Sequence, residues 1–365
     1  MSWCELPADI VSGIADRITE HADLACFRSV CPSWRSASSA HAARHRVPLL
    51  LVPSQVSSVN LILWSLVDDR IVEMPVPAAR GFYFLFASPR GWTLGVGPHD
   101  LSAKLLHPIT GASESLPALP PSFRGDDRKT LRDMVWDRSP AAIMVSPRKG
   151  AFFYRLSPCG GGSWSPVARC SQDAHRVSSI TYCDGTFYLL DGSARRVIAV
   201  DGTTFAVTAV IEPPDMVSPR TYCGPESTLI ASPGELLLIV RTSLLFEVVY
   251  HSSEGFLKVF RADVRSQAAA WSEVTDGSGI GDRAVFVDHV RGFCVEASGV
   301  NGLRRNCMYV ARGYEVVDDD YGMDVYAKFT VSVLDLADCT TENLEYGNLR
   351  KFRDGRLWQW PSWSI

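Results

Sequence analysis

The residues in this chain that could do chemistry stand without the partners their chemistry needs. His41-x-x-x-His45 would set two imidazoles one helical turn apart, the spacing of a zinc-binding helix. The protease form of that pattern needs Glu directly after the first His, and Ala42 stands there, so a solvated helix end is expected. The most acidic stretch, Glu315–Asp324 (E-V-V-D-D-D-Y-G-M-D), invites a calcium reading. An EF-hand loop places Gly sixth from its first Asp and Glu twelfth. Gly322 is fifth from Asp318 and no Glu stands at position twelve, so a solvated loop is expected, open to a basic partner. Gly277–Gly281 (G-S-G-I-G) lacks the G-x-G-x-x-G spacing and any strand–helix context, and reads as a turn. Arg124–Asp133 mixes both charge signs and reads as an exposed connection. No G-x-S-x-G elbow is present, and the eight histidines have no partner implied by spacing.

Ten cysteines fall at 4, 26, 31, 159, 170, 183, 223, 294, 307 and 339, with no C-x-x-C pair. A zinc site wants paired ligands at short spacing. Most of these cysteines lie in apolar strand-like runs, such as Cys183 in S-I-T-Y-C, so buried, reduced thiols are expected. The expectation is therefore no catalytic residue, no metal site and no cofactor.

Composition narrows the field further. The 365 residues carry a formal charge of −4 and a pI near 6.1, without the clustered basic face of a nucleic-acid binder. With 46% hydrophobic and 21% charged residues, the chain packs as one large domain or two. Its apolar runs fall short of a membrane span. The first residues have no secretory signal, and none of the five asparagines lies in a glycosylation sequon. An intracellular protein of the cytoplasm or nucleus is expected, with no nucleic-acid or membrane partner.

The elements that would position any site come in two kinds. In the first 46 residues, Leu6-Pro7 opens a helix, where the missing proline N–H is no loss. Ile10, Ile14 and Ile18, with Val11 beside them, predict one apolar stripe. Leu24, Phe27 and Val30 predict a second helix, and Pro32 a third on which Trp34, Ala37 and His41 share a face. So small a unit buries too little to be secure alone. Gly13 inside the first helix weakens it by about 1 kcal/mol relative to Ala.

These residues carry a resemblance. L-P-x-D-I-V-x-x-I…D-L-x-x-x-x-x-V-C-x-x-W-R, preceded by Trp3, resembles an F-box of the plant type. The resemblance implies docking on a Skp-type adaptor of a cullin-RING ubiquitin ligase. The adaptor-binding residues it implies are Leu6, Pro7, Ile10, Val11, Ile14, Leu24, Val30, Cys31 and Trp34.

Beyond Pro48 the period changes. Residues 47–365 hold around thirteen clear runs of four to eight apolar and β-branched residues, bounded by Gly, Pro, Asp or Ser. Examples are Asn60–Val67, Thr93–Val96, Glu235–Val240 and Thr330–Leu336. With no helices between them, an all-β domain is expected. Asp184-Gly185, Asp191-Gly192 and Asp201-Gly202 supply the positive-φ residues of tight turns, which predicts three antiparallel strands in succession. A weak repeat, F-F-Y-R-L…W-S-P-V from Ala151 and K-V-F-R-A-D…W-S-E-V from Leu257, has an offset of about a hundred residues. That fits two propeller blades of roughly 50 residues and predicts six or seven blades, with a large sandwich as the alternative.

This region has its own resemblance. S-P-R-G-W (Ser88–Trp92), L-L-H-P-I-T-G (Leu105–Gly111), L-I-A-S-P-G-E-L-L-L-I-V-R (Leu229–Arg241), G-D-R-A-V-F (Gly281–Phe286), R-N-C-M-Y-V (Arg305–Val310) and W-P-S-W (Trp360–Trp363) are similar to a land-plant family. Its members join an N-terminal F-box to a kelch-like β-propeller domain of unknown function. The resemblance implies a non-enzymatic substrate receptor of a Skp–cullin–F-box ligase, whose propeller binds a target protein. Two other classes stand beside it: a binding or scaffold protein that blocks its partner, and an enzyme or small-ligand receptor using a central channel.

Overall fold

The computed structural model describes residues 3–18, 21–39, 48–52, 60–66, 70–87, 92–97, 100–107, 111–123, 135–138, 142–146, 151–156, 162–168, 177–191, 196–214, 226–241, 257–265, 270–274, 280–288, 291–298, 300, 302–317, 325–337, 340–345 and 362–364. His41, His45 and Arg124–Asp133 lie outside them.

The N-terminal residues form a 3₁₀ turn (Trp3–Glu5) and helices α1 (Ala8–Ala15), α2 (His21–Ser29) and α3 (Pro32–Ala37). Pro7, at φ −55°, precedes the first helical turn, and its carbonyl accepts from the Val11 N–H at 3.1 Å. The expected stripe is rotated by one residue. Val11 and Ala15 face inward with Leu24, Phe27 and Trp34 while Ile18 is half-buried; Ile10 and Ile14 stay exposed. The third helix spans Pro32–Ala37, with Trp34 buried and Ala37 half-buried; His41, expected on the same face, lies outside the described residues.

From Leu49 onward the described elements are strands, apart from two single 3₁₀ turns. Each sheet is a succession of neighbouring strands. β1 (Leu49–Val52), β2 (Asn60–Ser65) and β3 (Arg70–Pro75) form the first. The second holds β4 (Tyr83–Ala87), β5 (Thr93–Val96), β6 (Ala103–Leu106) and β7 (Ser113–Leu116). The third holds β8 (Val135–Arg138), β9 (Ala142–Ser146), β10 (Phe152–Arg155) and β11 (Ser165–Pro166). The fourth holds β12 (Val177–Cys183), β13 (Thr186–Asp191), β14 (Val197–Asp201) and β15 (Val207–Ile211). The fifth holds β16 (Glu226–Ser232), β17 (Glu235–Arg241), β18 (Leu257–Asp263) and β19 (Trp271–Glu273).

The sixth sheet departs from this plan. β20 (Arg283–Val287) pairs antiparallel with β21 (Gly292–Glu296) and parallel with β22 (Cys307–Val317), followed by β23 (Val325–Asp335) and β24 (Thr341–Glu345). The last strand, β25 (Ser362–Ser364), returns to the first sheet and pairs with β1 in the register Leu50↔Trp363.

The sheets stand in a ring. Apolar clusters join the first sheet to the second through Leu49, Val76 and Leu106, and the second, third and fourth through Leu94, Ile143 and Phe187. Leu190 meets Leu238 between the fourth and fifth, and Leu237 meets Met308 between the fifth and sixth. Phe286 and Tyr309 then pack with Leu50 and Trp64, so the sixth sheet meets the first. Middle strands are covered on both faces, which is why β9, β13, β14 and β17 read as continuous apolar runs and not as alternating ones.

Local chemistry explains several motifs. Asp184 and Gly185, at φ 48° and 81°, make the two-residue turn between β12 and β13, where Cys183 faces Thr186. Pro233-Gly234 turns between β16 and β17, with Gly234 at φ 84°. At Asp201-Gly202 the expected reason fails. Phe205 takes the positive φ of 59°, and Gly202 is needed because a Cβ there would stand 2.6 Å from the Gly185 carbonyl oxygen. Asp201 Oδ1 accepts from the N–H and the hydroxyl of Thr204 and from the Thr203 N–H, which holds its carboxyl below the usual carboxylate range.

The sequence repeat marks equivalent strands, β10–β11 and β18–β19, two sheets apart. Its tryptophans also do equivalent work. Trp164 Nε1 donates to the Pro117 carbonyl at 3.1 Å, just past β7, and Trp271 Nε1 to the Glu212 carbonyl at 2.9 Å, just past β15. Each fastens its sheet to the outer strand of the sheet before it. Glu315–Val317, expected in a loop, instead complete β22 and pair with Val325–Ala327; residues 318–324 lie outside the described residues.

Candidate docking site

The nine residues singled out on the helices divide into two sets. Val11, Leu24 and Trp34 are buried, with Leu6 and Cys31 half-buried against the same core. The Trp34 and Phe27 rings lie 4.5 Å apart between centroids, and Trp34 Nε1 donates to the Trp3 carbonyl at 3.0 Å. Arg28 Nη1 donates to the Arg35 carbonyl and Ser38 Oγ at 3.2 Å each, fastening α2 to α3. These contacts fix the geometry of the unit.

The other set faces outward. Pro7 is exposed, Ile10 is 50% exposed, Ile14 38% and Val30 52%. Ile10 and Ile14 are one turn apart and present their side chains side by side. Trp3 is also exposed, at 72%, although the motif residues alone do not include it; its place just ahead of Leu-Pro is the signal that could have found it. Large apolar side chains exposed on a unit that already has a filled core make these residues the candidates for a docking surface.

Gly13 lies between them on α1, and a Cβ added there would meet nothing within 4 Å. Gly13→Ala is expected to stabilise the helical unit by about 0.5–1 kcal/mol through a lower unfolded-state entropy. Amide exchange of α1 checks this, with slower exchange expected.

The cysteines depart from the expectation of burial. Cys4 and Cys26 are exposed and Cys31 is half-buried, all on the helical unit, whereas Cys307 is buried in β22. The Ser33 hydroxyl, 3.0 Å from Cys31 Sγ, is the first cause holding the Cys31 thiol below its ordinary pKa, and the Trp34 N–H is the second. Burial pushes the Cys294 thiol up to about 11.

On the ring, an open depression of about 490 Å³ is lined by Asp282, Ser298, Arg304, Arg305 and Asp335 among others. Its charges answer one another or nearby groups. Arg305 meets Asp282 at 3.5 Å, Arg304 meets Glu342 at 3.0 Å, and Asp335 Oδ1 accepts from the Ala337 N–H. Among the described residues no group of three His, Cys, Asp or Glu could hold a metal ion. Among them, too, no helix is long and apolar enough to cross a membrane.

A ring of stacked sheets, closed by strand β25 and joined to a small helical unit, defines a mainly β protein built on a β-propeller. Residues 63–327 match the family model described as the KIB1-4 beta-propeller, and the chain belongs to that family. It is 23% identical over 276 residues to F-box protein SKIP23 of Arabidopsis thaliana, covering 66% of this chain and 63% of that relative. The match thus spans somewhat less than two thirds of the relative's length. Family and relative together support a plant F-box protein with a propeller domain.

Among solved structures, the chain is similar to the Cps50 (Swd1) beta-propeller domain of Myceliophteria thermophila. That likeness has a TM-score of 0.40 at 9% identity, over 80% of this chain and 82% of that one. A chain of a Nidogen/Laminin complex gives a TM-score of 0.37 at 11% identity, over 87% and 99%.

Proposed function

We propose that the chain is the substrate-receptor subunit of a Skp–cullin–F-box ubiquitin ligase. In this reading residues 1–46 are an F-box that docks a Skp-type adaptor, and residues 47–365 are a kelch-like propeller that holds a target protein. The six described sheets support a count of six blades. The observation that carries the reading is the exposure of Ile10 and Ile14 on α1 and of Val30 just past α2, in a unit whose own core is already filled. A similar protein named as an F-box protein supports it.

The role is non-catalytic. Two binding modules on one chain raise the local concentration of the target beside the ubiquitin-charged enzyme, and the isopeptide chemistry belongs to that enzyme. With about half of Ile10 and over a third of Ile14 still exposed, burying the rest of each against an adaptor is worth about 0.5–1.5 kcal/mol. The full chain is therefore expected to capture a purified Skp-type adaptor. Ile10→Asp with Ile14→Asp should weaken that capture by roughly two orders of magnitude while the circular dichroism of the chain is unchanged. No capture by the unsubstituted chain, where a control F-box captures the adaptor, would sink the proposal.

A further inference from the structure

Two cysteines of the helical unit lie about one serine. The Ser33 hydroxyl is 3.0 Å from Cys31 Sγ and 3.2 Å from the Cys4 carbonyl, to which it donates, bringing together the 3₁₀ turn at Trp3–Glu5 and the residue that precedes α3. Another bond holds the two segments in place: Trp34 Nε1 donates to the neighbouring Trp3 carbonyl at 3.0 Å. Cys4 is exposed and Cys31 half-buried, so a small oxidant can reach both. The Ser33 hydroxyl, once its proton turns from the Cys4 carbonyl to Cys31 Sγ, and the Trp34 N–H favour the Cys31 thiolate, the form that reacts. Cys294, whose burial keeps it protonated, and the buried Cys307 lack these features.

We propose that Cys4 and Cys31 are an oxidation site, closed to a disulfide by a hydroperoxide. The Cys31 thiolate attacks the terminal peroxide oxygen and the O–O bond breaks. The departing alkoxide or hydroxide takes a proton, and Cys31 is left as a sulfenic acid. Cys4 sulfur then attacks Cys31 sulfur, the S–S bond forms, the S–O bond breaks, and water leaves with the Cys4 proton. The two sulfurs together lose two electrons and the peroxide gains them. Cys31 is the thiolate and Cys4 the resolving thiol, the arrangement of a redox-sensing pair.

The bond would staple the N-terminal turn to the start of α3. Its effect on docking rests on the adaptor reading above: Cys31 packs half-buried against the core that fixes the helices, so a cross-link that pulls its sulfur toward Cys4 shifts the exposed face they carry and is expected to lower adaptor capture about tenfold.

The test treats the full reduced chain with stoichiometric hydrogen peroxide and maps its thiols by differential alkylation and peptide mass. A Cys4–Cys31 cross-link that dithiothreitol reverses is expected. With Cys4→Ser, a sulfenic acid trapped by dimedone at Cys31 and no cross-link is expected. A cross-link through Cys26, or a persistent sulfenic acid at Cys31 in the unsubstituted chain, would overturn the site. Unchanged adaptor capture after the Cys4–Cys31 bond has formed would overturn only its effect on docking. A reduced chain that never captures the adaptor tells against the ligase reading and leaves the thiol chemistry standing.

Discussion

Replacing Phe286 with alanine is expected to destabilise the ring by about 3–5 kcal/mol, the range for removing a buried aromatic side chain. Phe286 is fully buried in β20, its ring 4.7 Å from that of Tyr309 and 5.5 Å from that of Phe293, both nearly parallel to it. The cluster around it draws Leu50 and Trp64 from the first sheet together with Ala284, Cys307, Tyr309 and Val331 from the sixth. The cavity would therefore open where the last full sheet meets the first. Strands on both sides are held in register by pairing to their neighbours, Phe286 with Phe293 and Tyr309 and Leu50 with Trp64, so the gap cannot close cheaply. Val210→Ala on the exposed face of β15 removes methyl groups that already meet water, and a change within about 0.5 kcal/mol is expected. Urea unfolding of both variants measures the difference. A Phe286→Ala midpoint equal to that of Val210→Ala would mean that this seam does not hold the ring closed.

The same seam shows where the sequence is legible. Strands covered on both faces announce themselves as unbroken apolar runs, and Thr93–Val96 has the same bounds in sequence and structure. Outer strands do not. β7 (S-E-S-L) exposes half of its side chains and β19 (W-S-E) and β24 (T-E-N-L-E) expose more, so no apolar run marks them. Hairpins closed by Asp184-Gly185 are local and readable. The pairing of β25 with β1 joins the two ends of the propeller region, and no local pattern encodes it.

On the helices, the three-to-four-residue spacing of one face is satisfied by Ile10, Ile14 and Ile18 and also by Val11, Ala15 and Ile18. Only packing against Phe27 and Trp34 decides which row faces inward. That decision matters for the site, because it turns the two isoleucines from core residues into surface ones. The crossover in the sixth sheet, with β22 parallel to β20, is likewise a tertiary outcome. The meander rule that serves the neighbouring sheets fails there.

Trp34→Ala is expected to unfold the helical unit and leave the ring intact. A unit of some forty residues rarely gains more than about 3–5 kcal/mol from its own core, and truncating a buried Trp costs a similar amount. Trp34 touches Phe27, donates its indole N–H to Trp3 and closes over Val11 and Ala15, so one substitution removes contacts to all the other elements of the unit. Among the described residues, no strand residue belongs to that cluster, and the clusters of the ring contain no helix residue. Amide exchange should therefore show α1, α2 and α3 losing protection while β13, β14 and β17 keep theirs. Trp34→Phe keeps an aromatic ring beside Phe27 but loses the bond to the Trp3 carbonyl, and an intermediate loss of about 1–2 kcal/mol is expected. Adaptor capture should fail for Trp34→Ala, as it should for Ile10→Asp with Ile14→Asp. The exchange data separate the two causes: the first variant loses the scaffold, and the second keeps protected helices with a polar face. If the isoleucine variant also loses helical protection, then Ile10 and Ile14 contribute to folding and the division between core and docking face is wrong. If Trp34→Ala deprotects β13 or β17 as well, the helices and the ring form one cooperative unit.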